Sequence, residues 1–523
     1  MEESTESKTE ISMIQKDNAF MDSDDSDSVK ETISRSDLDS NVKKFLDHIK
    51  SSALKFKNDF LLGNTTIKLI SHLDADGISS ASVMINLFTS MNINYSLSIV
   101  PELNPEILKG FVTDLFDVYV FTDLGSGYIS DIFEHLVLND KKVVILDHHE
   151  ISEKNREIQK NYNDSVIEVN PHMFDIDGSS EISGSGVSYL FSKEIDGSSK
   201  EIAHIAIVGA IGDYQINDSF STLNRIIIND AIASKKLKII KGLKLFGAQT
   251  KPLYKVLSNC TDPFLPGVTG SDNGAIQFMM NYGISPKIGN VWKKLVNLTK
   301  KELEKLVEEI VMMRIANGHS NPEDIIGNVY ILPNEEKESP LRDAREFATL
   351  LNACGRLNKA SYGIGACLNE KTLKVRAINT MNDYKREIMK SLRWFEQNKK
   401  DPKYVIANDN YTIINAKDNI YYTMIGTIAS ILSHSLDMPQ DHIIVALAQQ
   451  YDSNTKVSVR ITNRKNNSLN LKEFVDTIVK SVGGEAGGHK DAAGAIIPVE
   501  KEYNFIEVSK ALLERVSLEQ KVE

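Results

Sequence analysis

A histidine and two aspartates fall within five residues, His72-Leu73-Asp74-Ala75-Asp76, and Gly77 lets the chain turn directly after them. In extended backbone, side chains two apart fall on the same side. Asp74 and Asp76 would then repel each other, and a cation is the least costly relief. Carboxylate oxygen with imidazole nitrogen suits manganese or another divalent transition ion. Taken alone, the stretch serves equally as an acidic turn in which Asp74 caps the next helix.

Three further positions change that balance. Asp123 follows Val118-Tyr119-Val120-Phe121-Thr122 and precedes Leu124-Gly125-Ser126-Gly127. Asp147-His148-His149 follows Val143-Val144-Ile145-Leu146, and Asp213 follows Gly209-Ala210-Ile211-Gly212. Each has a structural alternative: Asp123 as a cap for a helix near Tyr128, the histidines as a turn pair, Asp213 as a helix end. A carboxylate at a helix C-terminus meets the negative end of the dipole, however. Clustering all these groups for structure alone is electrostatically expensive. Together they read as a metal-binding constellation.

The elements that must position them alternate. Strands are expected at 66–70, 95–100, 118–122, 143–146 and 166–169, most of them separated by helical runs. That alternation predicts an α/β fold with a mainly parallel sheet covered on both faces. Asp and His then arrive at the C-terminal edge of the sheet, where such folds place their ligand sites.

The chain has 523 residues, 41% hydrophobic and 25% charged, which allows two or three domains with real cores. Its formal net charge of −12 argues against a broad basic surface for duplex phosphates. The three cysteines, Cys260, Cys354 and Cys367, form no close ligand pair and are expected to stay reduced. No apolar run approaches a membrane span and no signal-peptide pattern opens the chain, so a cytoplasmic location and no membrane partner are expected. Residues 1–35, centred on Asp22-Ser23-Asp24-Asp25, read as a solvated acidic tail. A helix is expected over 37–60, with Val42, Phe45, Leu46 and Ile49 on one face.

The set His72-x-Asp74-x-Asp76-Gly77, then Asp123, then Asp147-His148-His149, then Gly212-Asp213 resembles the four motifs of the DHH phosphoesterase superfamily. Within it, the chain looks most like the RecJ-type single-strand exonucleases of archaea. Near the other end, Gly483-Gly484-Glu485-Ala486-Gly487-Gly488-His489-Lys490-Asp491-Ala492-Ala493-Gly494 resembles the glycine-rich signature of the DHH-associated domain. Glycines let backbone N–H groups approach an anion, and His489 adds a donor. Arg460, ending a strand-like run, resembles the family's substrate-contacting arginine; a surface ion pair is its alternative. The resemblance runs from about residue 65 to 499.

It implies a DHH catalytic domain at 36–297, a linker helix and connection at 298–340, and a smaller α/β DHH-associated, substrate-binding domain at 341–515. The capping box Thr299-Lys300-Lys301-Glu302 would open the linker helix, with a core helix as the alternative. A helix is expected at 342–356, strands at 360–369 and 373–378, and a helix at 381–400 carrying Lys385, Arg386, Lys390, Arg393, Lys399 and Lys400. The basic residues of that helix read as a solvated face. A helix at 422–436 and a strand at 442–448 follow.

The resemblance further implies two divalent ions, manganese preferred and magnesium admissible. Asp74 with His72 would serve one ion, Asp76, His148 and Asp213 the other, and Asp123 would bridge. His149 would act at the scissile phosphate, and Asp147 would orient a histidine. Gly487, Gly488, His489 and Arg460 would bind substrate. The implied activity is hydrolysis of single-stranded DNA or RNA to nucleoside monophosphates, in replication or repair. Two alternatives stand beside it: a phosphodiesterase for short oligonucleotides or cyclic dinucleotides, and a scaffold subunit of the replicative helicase. The scaffold role would involve the GINS complex.

Overall fold

A computed structural model describes residues 38–519 except 161, 163, 217–218, 261–263, 319–320, 436–438, 452, 463–468 and 489. The expected acidic tail and His489 lie outside the described residues. The chain divides into two compact units, one ending at Thr380 and one beginning at Met381.

The first unit is built on five parallel strands: β1 (Thr66–His72), β2 (Asn94–Val100), β3 (Val118–Thr122), β4 (Lys142–Leu146) and β5 (Val166–Val169). Their order is β2-β1-β3-β4-β5. All five fall where the sequence places them, and the central pair β3 and β4 read as nearly unbroken apolar runs because both faces are covered. Every residue of β3 is buried. Each such aliphatic side chain stabilises the fold by roughly 1.5–3 kcal/mol. The order reverses between β1 and β3, the switch point at which open α/β sheets form their crevice.

Helix Ala75–Ser90 follows β1. It is buried along nearly its whole length, and helices Gly184–Ile195 and Ala203–Gly212 pack on it. Small residues permit that closeness. A Cβ added at Gly209 would stand 2.2 Å from Ser185 Oγ and 2.6 Å from Asp76 Oδ1.

Beyond residue 237, an antiparallel pair, β6 (Lys238–Leu243) and β9 (Ile326–Ile331), flanks an inserted body. The body holds a short hairpin, β7 (Lys287–Ile288) and β8 (Val291–Trp292), and helix Lys300–Ala316. The capping box forms as expected: Thr299 Oγ1 accepts from Glu302 N at 3.3 Å, and Glu302 Oε2 accepts from Thr299 N at 2.9 Å. The linker role does not hold. Leu306, Val307, Ile310 and Val311 are buried in one cluster with Leu253, Val256, Phe278 and Met279, so this is a core helix of the inserted body.

The strands expected at 360–369 and 373–378 are helices, Ala360–Cys367 and Lys371–Asn398. Leu373-Lys374-Val375-Arg376-Ala377 alternates as a strand would. Glu370 nevertheless accepts from Leu373 N at 2.6 Å and starts a helix of 28 residues. That helix runs across the division after Thr380, so it makes the covalent link. The first unit thus extends past the expected boundary at 341. The physical reason lies in helix Ala344–Arg356, whose Asn352 Oδ1 accepts from Ala75 N at 3.1 Å. On the linking helix, Arg386 pairs with Asp383, Lys390 with Glu387 at 3.4 Å and Lys399 with Glu396 at 2.5 Å, the solvated face expected.

The second unit is a six-stranded mixed sheet: β10 (Val405–Ala407), β11 (Tyr411–Asn415), β12 (Ile443–Gln449), β13 (Asn454–Ile461), β14 (Glu485–Gly488) and β15 (Ala492–Pro498), in the order β10-β11-β12-β13-β15-β14. Tyr411, Val445, Val457, Phe474, Ile478 and Phe505 share its core. Cys260, Cys354 and Cys367 are buried, and burial pushes the thiols of Cys354 and Cys367 up to about 12. Among the described residues no helix is long and apolar enough to cross a membrane.

Candidate metal centre

The three neighbouring strands β1, β3 and β4 deliver the charged residues. His72 ends β1, Asp123 follows β3, and Asp147-His148-His149 follows β4. Asp74 is both a cap and a member of the site: Oδ1 accepts from Gly77 N at 3.0 Å, while Oδ2 lies 3.1 Å from His72 Nδ1. Asp76 differs from the extended geometry expected of it. It sits in the first turn of helix Ala75–Ser90 and turns toward other partners than Asp74 does.

Two groups result. In one, the ligand atoms of His72, Asp74 and Asp123 lie within 4.8 Å of one another; in the other, those of Asp76, His148 and Asp213 do. Asp123 stands between them. Its Oδ2 is 3.6 Å from His72 Nδ1 and its Oδ1 is 3.3 Å from His148 Nε2. His148 Nε2 is also 3.8 Å from Asp76 Oδ2 and 3.8 Å from Asp213 Oδ2. Asp123 holds this place at φ 58°, a left-handed conformation that Asp tolerates better than most residues.

Several residues that steady the site carry no motif in the sequence. Gly184 N and Ser185 N donate to Asp76 at 2.7 and 3.1 Å, and the Ser185 hydroxyl joins them. The run Ser183-Gly184-Ser185-Gly186 was the available signal, a helix start whose first amides have no partner within their own helix. His148 Nδ1 lies 2.8 Å from Gly178 O, so Nδ1–H donates there and Nε2 faces the carboxylates. Gln215 Nε2 donates to the same carbonyl at 2.9 Å and to Asp213 Oδ2 at 3.0 Å. Such outer contacts fix the ring and its tautomer.

His149 belongs to the group of Asp123, Asp147 and His148. Its Nδ1 bonds Asp147 Oδ1 at 2.7 Å, and 56% of its side chain is exposed. Asp147 is buried and accepts from Ser126 N at 2.9 Å and His148 N at 2.8 Å. Burial opposes its charge, yet His149 holds it well below the usual carboxylate range. Burial likewise opposes charge on His149, which Asp147 raises.

The electrostatics of the two groups are those of crowded anions. Burial, then Asp76 and Asp74, push Asp123 up to about 7. Burial, with Asp76 and Asp74 against a counteracting His148, raises Asp213 to about 6. Burial opposes charging His72, but Asp74 and Asp123 carry it well above the usual imidazole range. His148 is raised in the same way against burial, by Asp123, Asp213 and Asp76.

Two atoms test whether a cation fits. Asp123 Oδ2 and His148 Nε2 are both buried and without a hydrogen-bond partner. Buried polar atoms are ordinarily satisfied. A divalent ion would satisfy both, and the oxygen-plus-imidazole donor set suits one.

The substrate residues expected near the C-terminus belong to the second unit. Arg460 Nε donates to Ser430 Oγ at 3.0 Å, and Nη1 donates to Val459 O at 2.8 Å. The expected glycine loop is a strand: Gly487 and Gly488 lie in β14, opposite Gly494 and Ala493 of β15. Gly488, at φ 121°, owes its type to packing, since a Cβ there would stand 2.5 Å from Ala492 O. Gly487 is exposed and has open space where a Cβ would be.

Three family models match the chain: the DHH family N-terminal domain over residues 66–210, a DHH-CID domain over 245–326 and a DHHA1 domain over 408–515. The chain is a DHH-family protein. The inserted body described above coincides with its DHH-CID domain, and the six-stranded sheet with its DHHA1 domain. An uncharacterized protein of Methanocaldococcus jannaschii is 29% identical over 450 residues, covering 84% of this chain and 91% of that one. Among solved structures, RecJ of Thermus thermophilus in complex with Mn2+ has a TM-score of 0.52 at 15% identity. The match covers 90% of this chain, which spans 55% of that RecJ. An exonuclease RecJ bound to manganese matches with TM-score 0.52 at 15% identity, over 90% of this chain and 94% of the other. CDC45 from Entamoeba histolytica has a TM-score of 0.57 at 11% identity, over 90% and 99%. These likenesses give the DHH protein a RecJ-like fold.

Gly184→Ala tests the crowding around Asp123 without replacing a charged residue. Its Cβ would stand 2.7 Å from Asp123 Cβ and Oδ1. Overpacking of this kind costs about 1–3 kcal/mol. Hydrolytic turnover is expected to drop roughly 100-fold through misplacement alone. Thermal melts and steady-state rates of the same preparation check both numbers.

Proposed function

We propose that this DHH protein is a metal-dependent phosphodiesterase, and that it acts as an exonuclease on single-stranded DNA or RNA, releasing nucleoside monophosphates. The observation that carries the reading is the pair of neighbouring ligand groups, His72 with Asp74 and Asp123 and Asp76 with His148 and Asp213, with Asp123 Oδ2 and His148 Nε2 buried and unsatisfied. His72, Asp74 and Asp123 would hold one ion, and Asp76, His148 and Asp213, with Asp123 beside them, the other. What two bound divalent ions supply is acidification of an attacking water and compensation of charge on the phosphoryl oxygens. Manganese is the preferred ion and magnesium the second choice.

The chain's own groups do the rest. Gly184 and Ser185 hold Asp76 in place by donating to it. Asp147 orients His149 and favours its charged form, so His149 Nε2 carries a proton to the leaving oxygen. In the second unit, Arg460, Gly487, Gly488 and His489 are assigned to substrate phosphates.

The likeness of fold to CDC45 supports a second reading, a scaffold role bound to the GINS replication complex. The complete set of ligand groups speaks against scaffolding alone. A third reading keeps the chemistry and changes the substrate to short oligonucleotides or cyclic dinucleotides.

One assay separates them. Strands of DNA and RNA of roughly 5 and 40 nucleotides, labelled at either end, are incubated with manganese, with Asp213→Ala as control. Stepwise loss of the long strand, absent in the variant, is expected and gives the polarity. Cleavage of the short strands alone would select the oligonucleotide reading. No cleavage with metal bound would leave the scaffold.

A further inference from the structure

Helix Ala203–Gly212 stops in an unusual way. Tyr214 N donates to Ile211 O at 3.2 Å and Gln215 N to Ala210 O at 3.0 Å, around the cap residue Asp213. That pair of bonds puts the residue after the cap into left-handed backbone, a place usually taken by glycine. Here it is a tyrosine at φ 57°. Twelve described non-glycine residues have positive φ, and seven are Asn or Asp, which tolerate it; Tyr214 is the sole aromatic.

The ring gains nothing from packing to offset that strain. Tyr214 is 90% exposed. Among the described residues it is the one exposed large hydrophobic within three positions of any proposed ligand. The backbone on either side of it is fixed. Asp213 belongs to the group with Asp76 and His148, and Gln215 is buried, donating to Gly178 O and accepting from Asn224. A flat, uncharged ring is thus held one residue from the proposed metal centre, at a position where its side chain costs stability.

Strain kept at the edge of a site points to use. Beside a centre for phosphodiesters, the partner a phenol ring recognises is the face of a nucleobase. We propose that Tyr214 is the platform on which the base of the nucleotide at the scissile phosphate stacks. This rests on the nucleic-acid reading above and deepens it. Stacking tolerates any base, so recognition here depends on a base being present and not on which it is.

The test uses the full-length protein and phosphorothioate single strands of about 12 nucleotides, which resist hydrolysis, each with a normal or an abasic residue at one end or the other. Binding is read by fluorescence anisotropy in manganese. The wild type is expected to prefer one base-bearing end roughly 5- to 150-fold over its abasic counterpart. Tyr214→Gly should remove that preference without a lower melting temperature, and Tyr214→Phe should keep it. If Tyr214→Gly does not fold, Tyr214→Asn, which also accepts the left-handed backbone, takes its place. A preference unchanged in the variant, an equal loss on normal and abasic strands, or no preference in the wild type would each overturn the proposal. Product formation on ordinary strands is measured separately. A wild type that discriminates yet forms no product would sink the hydrolase reading and leave the stacking site standing.

Discussion

Asp123→Asn is expected to lower hydrolytic activity by about 1000-fold or more while raising the melting temperature of the metal-free protein. The two effects share a cause. Asp123 is 2% exposed, and burial with Asp76 and Asp74 brings it up to about 7. A carboxyl raised in the folded state binds a proton that the unfolded chain has already lost between pH ~4 and ~7. Its contribution to stability therefore falls as pH rises through that window and stays low above it. Keeping this carboxylate ionised in the folded protein at pH 8 costs at most about 4 kcal/mol. Asn sheds that charge, keeps the shape and tolerates the φ of 58°. Metal-free melts of both proteins at pH 5 and pH 8 decide it: the variant's advantage should be small at pH 5 and large at pH 8. Equal melting curves at pH 8 would show that the anions are not in conflict, and the case for a cation between them would weaken.

That conflict was legible in the sequence for a simple reason. The central strands β3 and β4 are buried almost throughout, so each is an apolar run that stops abruptly at a charged residue, Thr122 before Asp123 and Leu146 before Asp147. Position along the chain then became position in space, since neighbouring parallel strands end together. What supports the ligands was not legible. Asp76 is held by amides 108 and 109 residues away, and although the run 183–186 marks a helix start, nothing in it names the carboxylate it meets. Asn352, bonded to Ala75 N, is 277 residues distant and on a helix that the sequence assigned to the other domain. The misread strands at 360–378 fail for another reason. Ala360–Cys367 is buried along most of its length, which erases the period of a one-sided helix. The glycine-rich stretch reads as backbone N–H groups open to an anion, whereas Gly488 is required by close approach to β15.

Manganese binding should release protons, and its stabilising effect should grow with pH. In the metal-free protein His72 and His148 are raised well above 6.5 by the carboxylates beside them. An imidazole raised by its partners contributes stability that is full below the unfolded pKa and is lost as pH climbs through the folded one. The metal-free protein should therefore melt at progressively lower temperature above pH ~6.5 on account of these two groups. A ligand atom must be unprotonated, so each ion expels the proton from its histidine. At neutral pH one to two protons per chain are expected to leave, roughly one for each occupied group. Calorimetric titration with manganese in two buffers of different ionisation heat measures that number directly. At a free concentration about 100 times the dissociation constant, binding adds about 2.7 kcal/mol, or a melting shift of roughly 3–6 °C in a unit of this size. The shift should be larger at pH 8 than at pH 6, because protons compete for the same atoms. His148→Gln should abolish the part of the proton release that belongs to the group of Asp76 and Asp213. Zero proton release with tight binding would mean that no histidine proton is displaced, and His72 and His148 would lose their place in the ligand set.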